Sequence, residues 1–498
     1  MKNKKGSRRN RNKGAACREG DTGGGGGNGL CKMRLGKLPD DVLINILEKL
    51  DTLDAIRTCI LSKRMLKLPT MFSRFNIDIA SLVDHHDVAS YGFTIRDAVR
   101  FNDVVAGVTV KILSERNQEI PISNLKVRFV LMRYYCLSIA KTVARTMAAQ
   151  KVDNAEFEIL TERSCEYCSD ADLLYFAKQF NTCFRDCPAA FAGLTRLWLR
   201  NMWFDEADIP NILSTCKRLE SLRLSYCDAG IHSVLQIEHA QLVELHIDCG
   251  LFEVVELNCL PKLQRVRYNN WISYQDPLSF GSVPHLSKLG FANLGVSSTK
   301  NFQLSQLLAN VPSISDLHLD FESEKIWVLP ERPELLAPVL GKLRIVNLVN
   351  LPEGRDISWT MFVLEGAPSL KELCITVWDH FWCNVVTNHK RSCCGIANVE
   401  WQPSLDFKHK NLVKLTIYGF QPDKNFMRYV RRIMEFAVNM EEISLHDRKV
   451  CEGCGDLDPK IKVCPSKYPQ TSEEKDMLRE EITKDLGVAL TSVIHFRS

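Results

Sequence analysis

The 498-residue chain lacks several features that would settle its class at once. No run of about eighteen apolar residues occurs, so no membrane-spanning helix is expected. The longest apolar stretch, near residues 129–140, is interrupted by Arg133. The first thirteen residues are polar and basic, without the apolar core of a secretory signal. Neither a Gly-x-Ser-x-Gly elbow nor a His-Glu-x-x-His helix is present. The glycine run at 23–27 lacks the Lys-Ser/Thr that a phosphate loop requires, which leaves it as a linker. No catalytic residue and no cofactor are therefore expected. Nineteen cysteines would suggest disulfides only in an oxidising compartment. Most stand near apolar strands, where a reduced thiol behaves as a small buried hydrophobe. The expectation is a reduced protein of the nucleus or cytoplasm that is not membrane-bound.

Charge is nearly balanced overall, at +4, but it is unevenly placed. Residues 1–36 hold ten Lys/Arg against Glu19 and Asp21, a local excess of +8 that leaves the remainder at −4. A mildly acidic body argues against a groove for a phosphate backbone, so nucleic acid is not the expected partner. The basic, glycine-rich stretch 1–33 cannot bury enough apolar surface to offset its ordering entropy, and reads as a disordered tail. Its cluster fits a nuclear import signal and a plain solvated tail equally well.

Residues 34–74 change character. Positions Leu38, Val42, Leu43, Ile46, Leu47 and Leu50 form one helical stripe, with Pro39 at the first helical position and Asp40 and Asp41 at the positive end of the helix dipole. Thr52 is a candidate N-cap for a second helix through Ile56 and Ile60, and Ser62 for a third that Pro69 stops. Residues 75–120 read as a connecting region.

Residues 121–400 read as a solenoid, and from about residue 190 onward the chain repeats itself. The pattern apolar-x-x-apolar-x-apolar starts at Leu194, Leu219, Leu242, Leu263, Leu286, Ile314, Leu343, Leu370, Leu412 and Met440. All but one of the intervals lie between 21 and 29 residues, the period of leucine-rich repeats; Leu370 to Leu412 is 42. Each short strand buries its alternate apolar side chains against neighbouring coils, and the stack builds one elongated core. Earlier segments, Leu125 to Leu131 and Ala155 to Ile159, alternate like strands too. Asn201, Cys249, Asn270, Asn293 and Asn350 recur seven residues after the motif start, where a short polar side chain can satisfy backbone groups at a turn. Residues 401–498 supply an amphipathic helix around Phe426–Val438, a capping box from Thr471 to Glu474, a helix stop at Gly487 and a closing strand over 488–496. An α/β class follows: a small three-helix module, an irregular solenoid, and a C-terminal cap, with the module and the solenoid expected to have separate cores.

These three parts in this order resemble the plant F-box proteins with leucine-rich repeats and a C-terminal FBD domain. The F-box match rests on Arg34-Leu35-x-x-Leu38-Pro39-Asp40-Asp41-Val42-Leu43-x-x-Ile46-Leu47 and Thr52-x-x-Ala55-Ile56-x-Thr58-x-x-Leu61-Ser62-Lys63-Arg64. The FBD match rests on Leu412-Val413-Lys414-Leu415, Glu441-Glu442-Ile443 and Val493-Ile494-His495-Phe496. One departure is Met65, where the family has Trp soon after Ser-Lys-Arg. The resemblance implies a substrate receptor of a Skp–cullin–F-box ubiquitin ligase, with a Skp-type adaptor and through it a cullin as partners, and a target protein on the repeats. It implies adaptor contacts from Leu38, Pro39, Asp40, Leu43, Ile46, Leu47, Ile56 and Leu61, and catalysis by proximity alone.

Other chemistries are weaker. Cys165/Cys168 and Cys451/Cys454 have zinc-clip spacing, with His446 and Cys464 near the second pair, but no second tight pair completes a four-ligand signature. His85-His86-Asp87 reads as an exposed loop and Cys393-Cys394 as a loop coincidence. Two other functional classes stay open: a binding scaffold that no longer engages the adaptor, and a nucleic-acid-associated protein using the basic tail.

Overall fold

The computed structural model describes residues 38–82, 94–230, 232–271, 276–292, 302–322, 326–352, 356–377, 401, 404, 406–448, 466–484, 486 and 493–497. The tail 1–33, the His85-His86-Asp87 loop, Cys393-Cys394, Cys451, Cys454, Cys464 and Gly487 lie outside these residues.

Helices α1 (Asp40–Leu47) and α2 (Thr52–Ile60) and a 3-10 segment (Met65–Met71) form the N-terminal module. A parallel sheet follows directly. Its strands are β1 (Arg74–Asp78), β2 (Ile122–Val130), β3 (Val152–Leu160), β4 (Arg196–Trp203), β5 (Ser221–Asp228), β7 (Glu244–Asp248), β9 (Arg265–Asn269), β11 (Lys288–Ala292), β12 (Asp316–Asp320), β13 (Ile345–Leu351), β14 (Glu372–Val377), β15 (Lys414–Tyr418), β16 (Glu442–His446) and β17 (Ile494–Arg497). These fourteen pair in that order. On the buried side run α3 (Ile95–Glu115), α4 (Arg133–Ala149), α5 (Asp170–Asp186), α6 (Pro188–Ala192) and α7 (Asp208–Thr215). In the middle coils β6 (Val234–Ile237), β8 (Val254–Cys259) and β10 (Leu278–Ser282) replace helices with a second, three-stranded parallel sheet. Helices return as α8 (Leu304–Leu307), α9 (Pro333–Leu340), α10 (Met361–Gly366), α11 (Lys424–Phe436) and α12 (Ser472–Thr483).

Register explains the sequence pattern. The second apolar position of each repeat pairs with its equivalent next door: Leu197 with Leu222, Leu222 with Leu245, Leu245 with Val266, and on through Leu289, Leu317, Val346, Leu373, Leu415 and Ile443 to Ile494. All of these are buried, because in a parallel sheet with one covered face only alternate side chains reach the core. The ladder extends backwards through Phe157 and Val127 to Ile77. The stretch 75–120 thus holds the first strand and a 21-residue helix rather than a mere connection. The long interval after Leu370 leaves the ladder intact, since β14 and β15 pair directly, Leu373 against Leu415.

The recurring residue seven positions after each motif start has a backbone reason. Asn201, Tyr226, Cys249, Asn270 and Asn350 all have φ between 53° and 56°, and Gly419 has φ 79°. The chain leaves the strand through a left-handed residue, a conformation that Asn tolerates and Gly adopts freely. Asn201 also donates to the Thr161 hydroxyl at 2.6 Å, and Asn350 to the Asp320 carboxylate at 2.9 Å.

Three expectations need correction. The N-terminal module and the solenoid do not have separate cores. Leu43, Leu47, Met65 and Leu68 belong to one continuous apolar cluster with Phe72, Phe75 and the inward rows of the sheet. Second, Asp51 rather than Thr52 caps α2, accepting from the Leu53 amide at 2.8 Å, while the Thr52 hydroxyl accepts from the Asn76 amide of β1. The third helical segment is a 3-10 helix that runs through Pro69 instead of ending there. Third, the cysteines are not all separate buried side chains, because Cys136 of α4 is joined to Cys183 of α5. The remaining described cysteines are free.

Candidate functional site

The stripe on α1 divides along its length. Leu43 and Leu47 are buried, whereas Val42 and Ile46, one position before each on the helix, and Leu50 just beyond its end are exposed. A helix advances 100° per residue, so neighbouring positions of a wide stripe can point one into the core and one outward. Pro39 and Asp40 are exposed and Leu38 is half-buried at the helix start. On α2 Ile56 is half-buried, while Ile60 and the following Leu61 are exposed, Leu61 to 85%. Leu66 and Met71 of the 3-10 segment are exposed as well. Seven of the seventeen large apolar side chains exposed among the described residues thus lie between residues 42 and 71. A concentration of that kind on a solvated surface marks a docking face.

The supports beneath this face are polar and local. The Arg64 guanidinium donates to the Leu38 carbonyl at 2.8 Å and pairs with Asp40 at 2.5 Å, which ties the start of α1 to the third segment. The Glu48 carboxylate accepts from the Ser73 amide at 2.5 Å, the Ser73 hydroxyl at 3.1 Å and the Arg74 amide at 3.3 Å. Buried Arg116 donates to the Phe72 carbonyl at 3.0 Å and lies 5.5 Å over the Phe75 ring. The module is therefore seated on the first coil. Sequence reasoning missed Glu48, Arg116 and Phe72; an acid inside an apolar helical stripe was the available signal for Glu48. Met65 is 5% exposed. It sits beneath the docking face and not on it. Burial raises the Asp51 carboxyl, opposed by the Leu53 amide, and raises the Cys59 thiol.

Of the other candidate chemistry, only the part carried by the described residues can be placed, since Cys451, Cys454 and Cys464 lie outside them. Among the described residues no group of three or more His, Cys, Asp and Glu side chains is placed to hold a metal ion. His446 stacks on Tyr418, ring centroids 4.4 Å apart. Cys168 donates to the Ser164 carbonyl, and burial pushes its thiol up to about 11, away from thiolate chemistry. No helix among the described residues is long and apolar enough to cross a membrane.

The family profile described as "At1g61320/AtMIF1, LRR domain" matches residues 182–484. The chain belongs to that family. The F-box domain profile matches residues 35–76, the module whose exposed apolar face is described above. Among curated relatives, the F-box/FBD/LRR-repeat protein At5g56420 of Arabidopsis thaliana is 26% identical over 57% of this chain. The putative F-box/LRR-repeat protein At3g42770, also of Arabidopsis thaliana, is 21% identical over 69%. The matched region spans 65% of the length of each relative. An F-box followed by leucine-rich repeats is the organisation of a protein that mediates protein interaction; F-box domains typically bind Skp1-type adaptors, and leucine-rich-repeat domains typically bind targets.

Proposed function

We propose that this F-box/LRR protein is the substrate-recognition subunit of a Skp–cullin–F-box type ubiquitin ligase, acting in the nucleus or cytoplasm. The observation that carries the reading is the run of exposed apolar side chains on the F-box, Val42, Ile46, Leu50, Ile60, Leu61, Leu66 and Met71. A soluble monomer gains nothing from exposing them, and an adaptor would cover them. Leu38, Pro39 and Asp40 extend the face at the start of α1, held there by Arg64. Leu43 and Leu47 act from below by fixing the helix, and Ile56 stands at the margin. The chain supplies no reacting group in this role. It raises the effective concentration of a bound target near a charged conjugating enzyme held elsewhere in the complex.

The test is direct binding of a purified Skp-type adaptor. Ile46→Asp with Leu61→Asp places charge on the face but not in the core, so thermal stability should hold while affinity falls about tenfold or more, roughly 1.4 kcal/mol. Unchanged affinity in the double variant would overturn the assigned face. A wild-type chain that binds no adaptor at micromolar concentration would leave a scaffold outside the ligase as the function.

A further inference from the structure

The outward face of the long sheet carries a row of side chains in register across neighbouring strands: Trp198, Arg223, His246, Arg267, Gly290 and His318. Most charges on this face are matched by a neighbour. Lys126 and Arg128 pair with Glu158, Arg265 with Glu244, and Lys288 with Asp316. Arg200, Arg223 and Arg267 form no ion pair among the described residues. The Arg223 guanidinium lies flat over Trp198 at 3.9 Å, and Arg200 lies over Tyr226 at 5.9 Å. The buried Nε of both arginines has no hydrogen-bond acceptor. All three lie in the field of Asp248, and Arg223 also in that of Glu158. The imidazoles between them add no charge at neutral pH: burial and the flanking Arg223 and Arg267 hold His246 down at about 4, and burial lowers His318.

Gly290 breaks this row of side chains. No positive φ requires glycine there. A Cβ would meet Arg267 Cγ at 3.4 Å and His318 Cβ at 3.8 Å, ordinary contacts. Gly290 lies in the lining of a notch of about 280 Å³, together with Arg265, Arg267, Lys288, His246 and His318 among others. Two strand steps separate Arg223 from Arg267, about 10 Å. That spacing suits charges strung along an extended chain, which advances about 3.3 Å per residue, better than one point charge.

We propose that this face binds an extended acidic segment of the target protein, its carboxylates on Arg200, Arg223 and Arg267 and one side chain in the Gly290 notch. The proposal rests on the reading that the repeats hold a target. Guanidiniums without carboxylate partners, two of them preorganised by stacking and Arg267 held against His318 Nε2 at 3.3 Å, bind carboxylates in charge-assisted pairs at little entropic cost.

The experiment is fluorescence anisotropy on the full chain with labelled peptides of about twelve residues alternating Glu and Ser, against the Gln-Ser peptide. The acidic peptide should bind about tenfold tighter than the neutral one. Arg223→Gln with Arg267→Gln should weaken it about tenfold, and Gly290→Leu, which removes no charge but fills the notch, about fivefold, with an unchanged thermal midpoint checking that the variant is folded. Lys342→Gln with Arg344→Gln removes equal charge from the turn before β13, and this edge variant should change affinity less than about twofold. Equal binding of both peptides, equal loss from the edge variant, or a preference for a phosphoserine peptide that the glutamate peptide does not share would each overturn the assignment. Adaptor binding measured on the same preparations separates the outcomes. Its loss in the wild type would sink the receptor reading, and its retention with no peptide binding would sink only this one.

Discussion

Two side chains show how narrowly single positions are constrained. Gly419 ends β15 with φ 79°, and a Cβ there would stand 2.0 Å from the Val377 carbonyl oxygen. Asn, which serves the same place in other coils, could adopt the angle but not the space. Gly419→Ala is expected to cost about 2 kcal/mol or more, read as a lower urea midpoint with unchanged slope. A loss below about 0.5 kcal/mol would mean that the coil yields there. Met65 is the second case. It occupies the F-box interior, so Met65→Ala should destabilise by about 2–4 kcal/mol, measured by chemical denaturation. Met65→Trp adds volume to a filled core and must displace neighbours, which makes stabilisation by that change an unexpected result.

At the scale of the repeat element, two histidines act as staples. His239 and His409 each stand three residues before a motif leucine and are buried. The Nε2–H of His239 donates to the Cys216 carbonyl at 3.0 Å, and that of His409 to the Ala367 carbonyl at 3.1 Å. Cys216 and Ala367 hold the equivalent place in the preceding coil. Nδ1 accepts the amide of Gln241 in one case, and of Asn411 and Leu412 in the other. This arrangement needs a neutral ring, and burial lowers both groups below their ordinary 6.5. The folded state therefore binds the proton less well than the unfolded chain. The contribution is complete above pH 6.5 and is lost as pH falls through the lowered values. Unfolding free energy should decline on acidification from pH 7 to 5, and less steeply in His239→Gln with His409→Gln. Parallel curves for the two proteins would remove the staples as the cause.

For the molecule as a whole, the decisive feature is continuity of one core from the F-box to β17. Leu222→Asp puts an unpaired charge among Leu197, Leu245 and their neighbours, and should cost several kcal/mol while loosening coils on both sides together. Hydrogen exchange would show protection falling in β4, β5 and β7 as a group. Because Glu48, Thr52 and Arg116 join the F-box to the first coil, deleting it should also raise exchange in β1 and β2. Unaltered protection in β1 and β2 after that deletion would argue for two independently stable units.

Period and composition alone determined the solenoid. A 21- to 29-residue recurrence of apolar-x-x-apolar-x-apolar leaves few other ways to bury the same positions, and the inward rows of the sheet are those residues. The apolar stripe of α1 was equally legible, as was the Thr471–Glu474 capping box, where the Thr471 hydroxyl accepts from the Glu474 amide. What the stripe could not reveal was its division. Leu43 and Leu47 face inward and Val42 and Ile46 outward because the 3-10 segment packs on one side of the helix only, a fact set by a segment further along the chain. Net charge misled in the same way. The body's −4 averages over hundreds of residues, while Arg200, Arg223 and Arg267, without a carboxylate partner among the described residues, come together only because strands separated by about twenty residues each lie one hydrogen-bonded step apart.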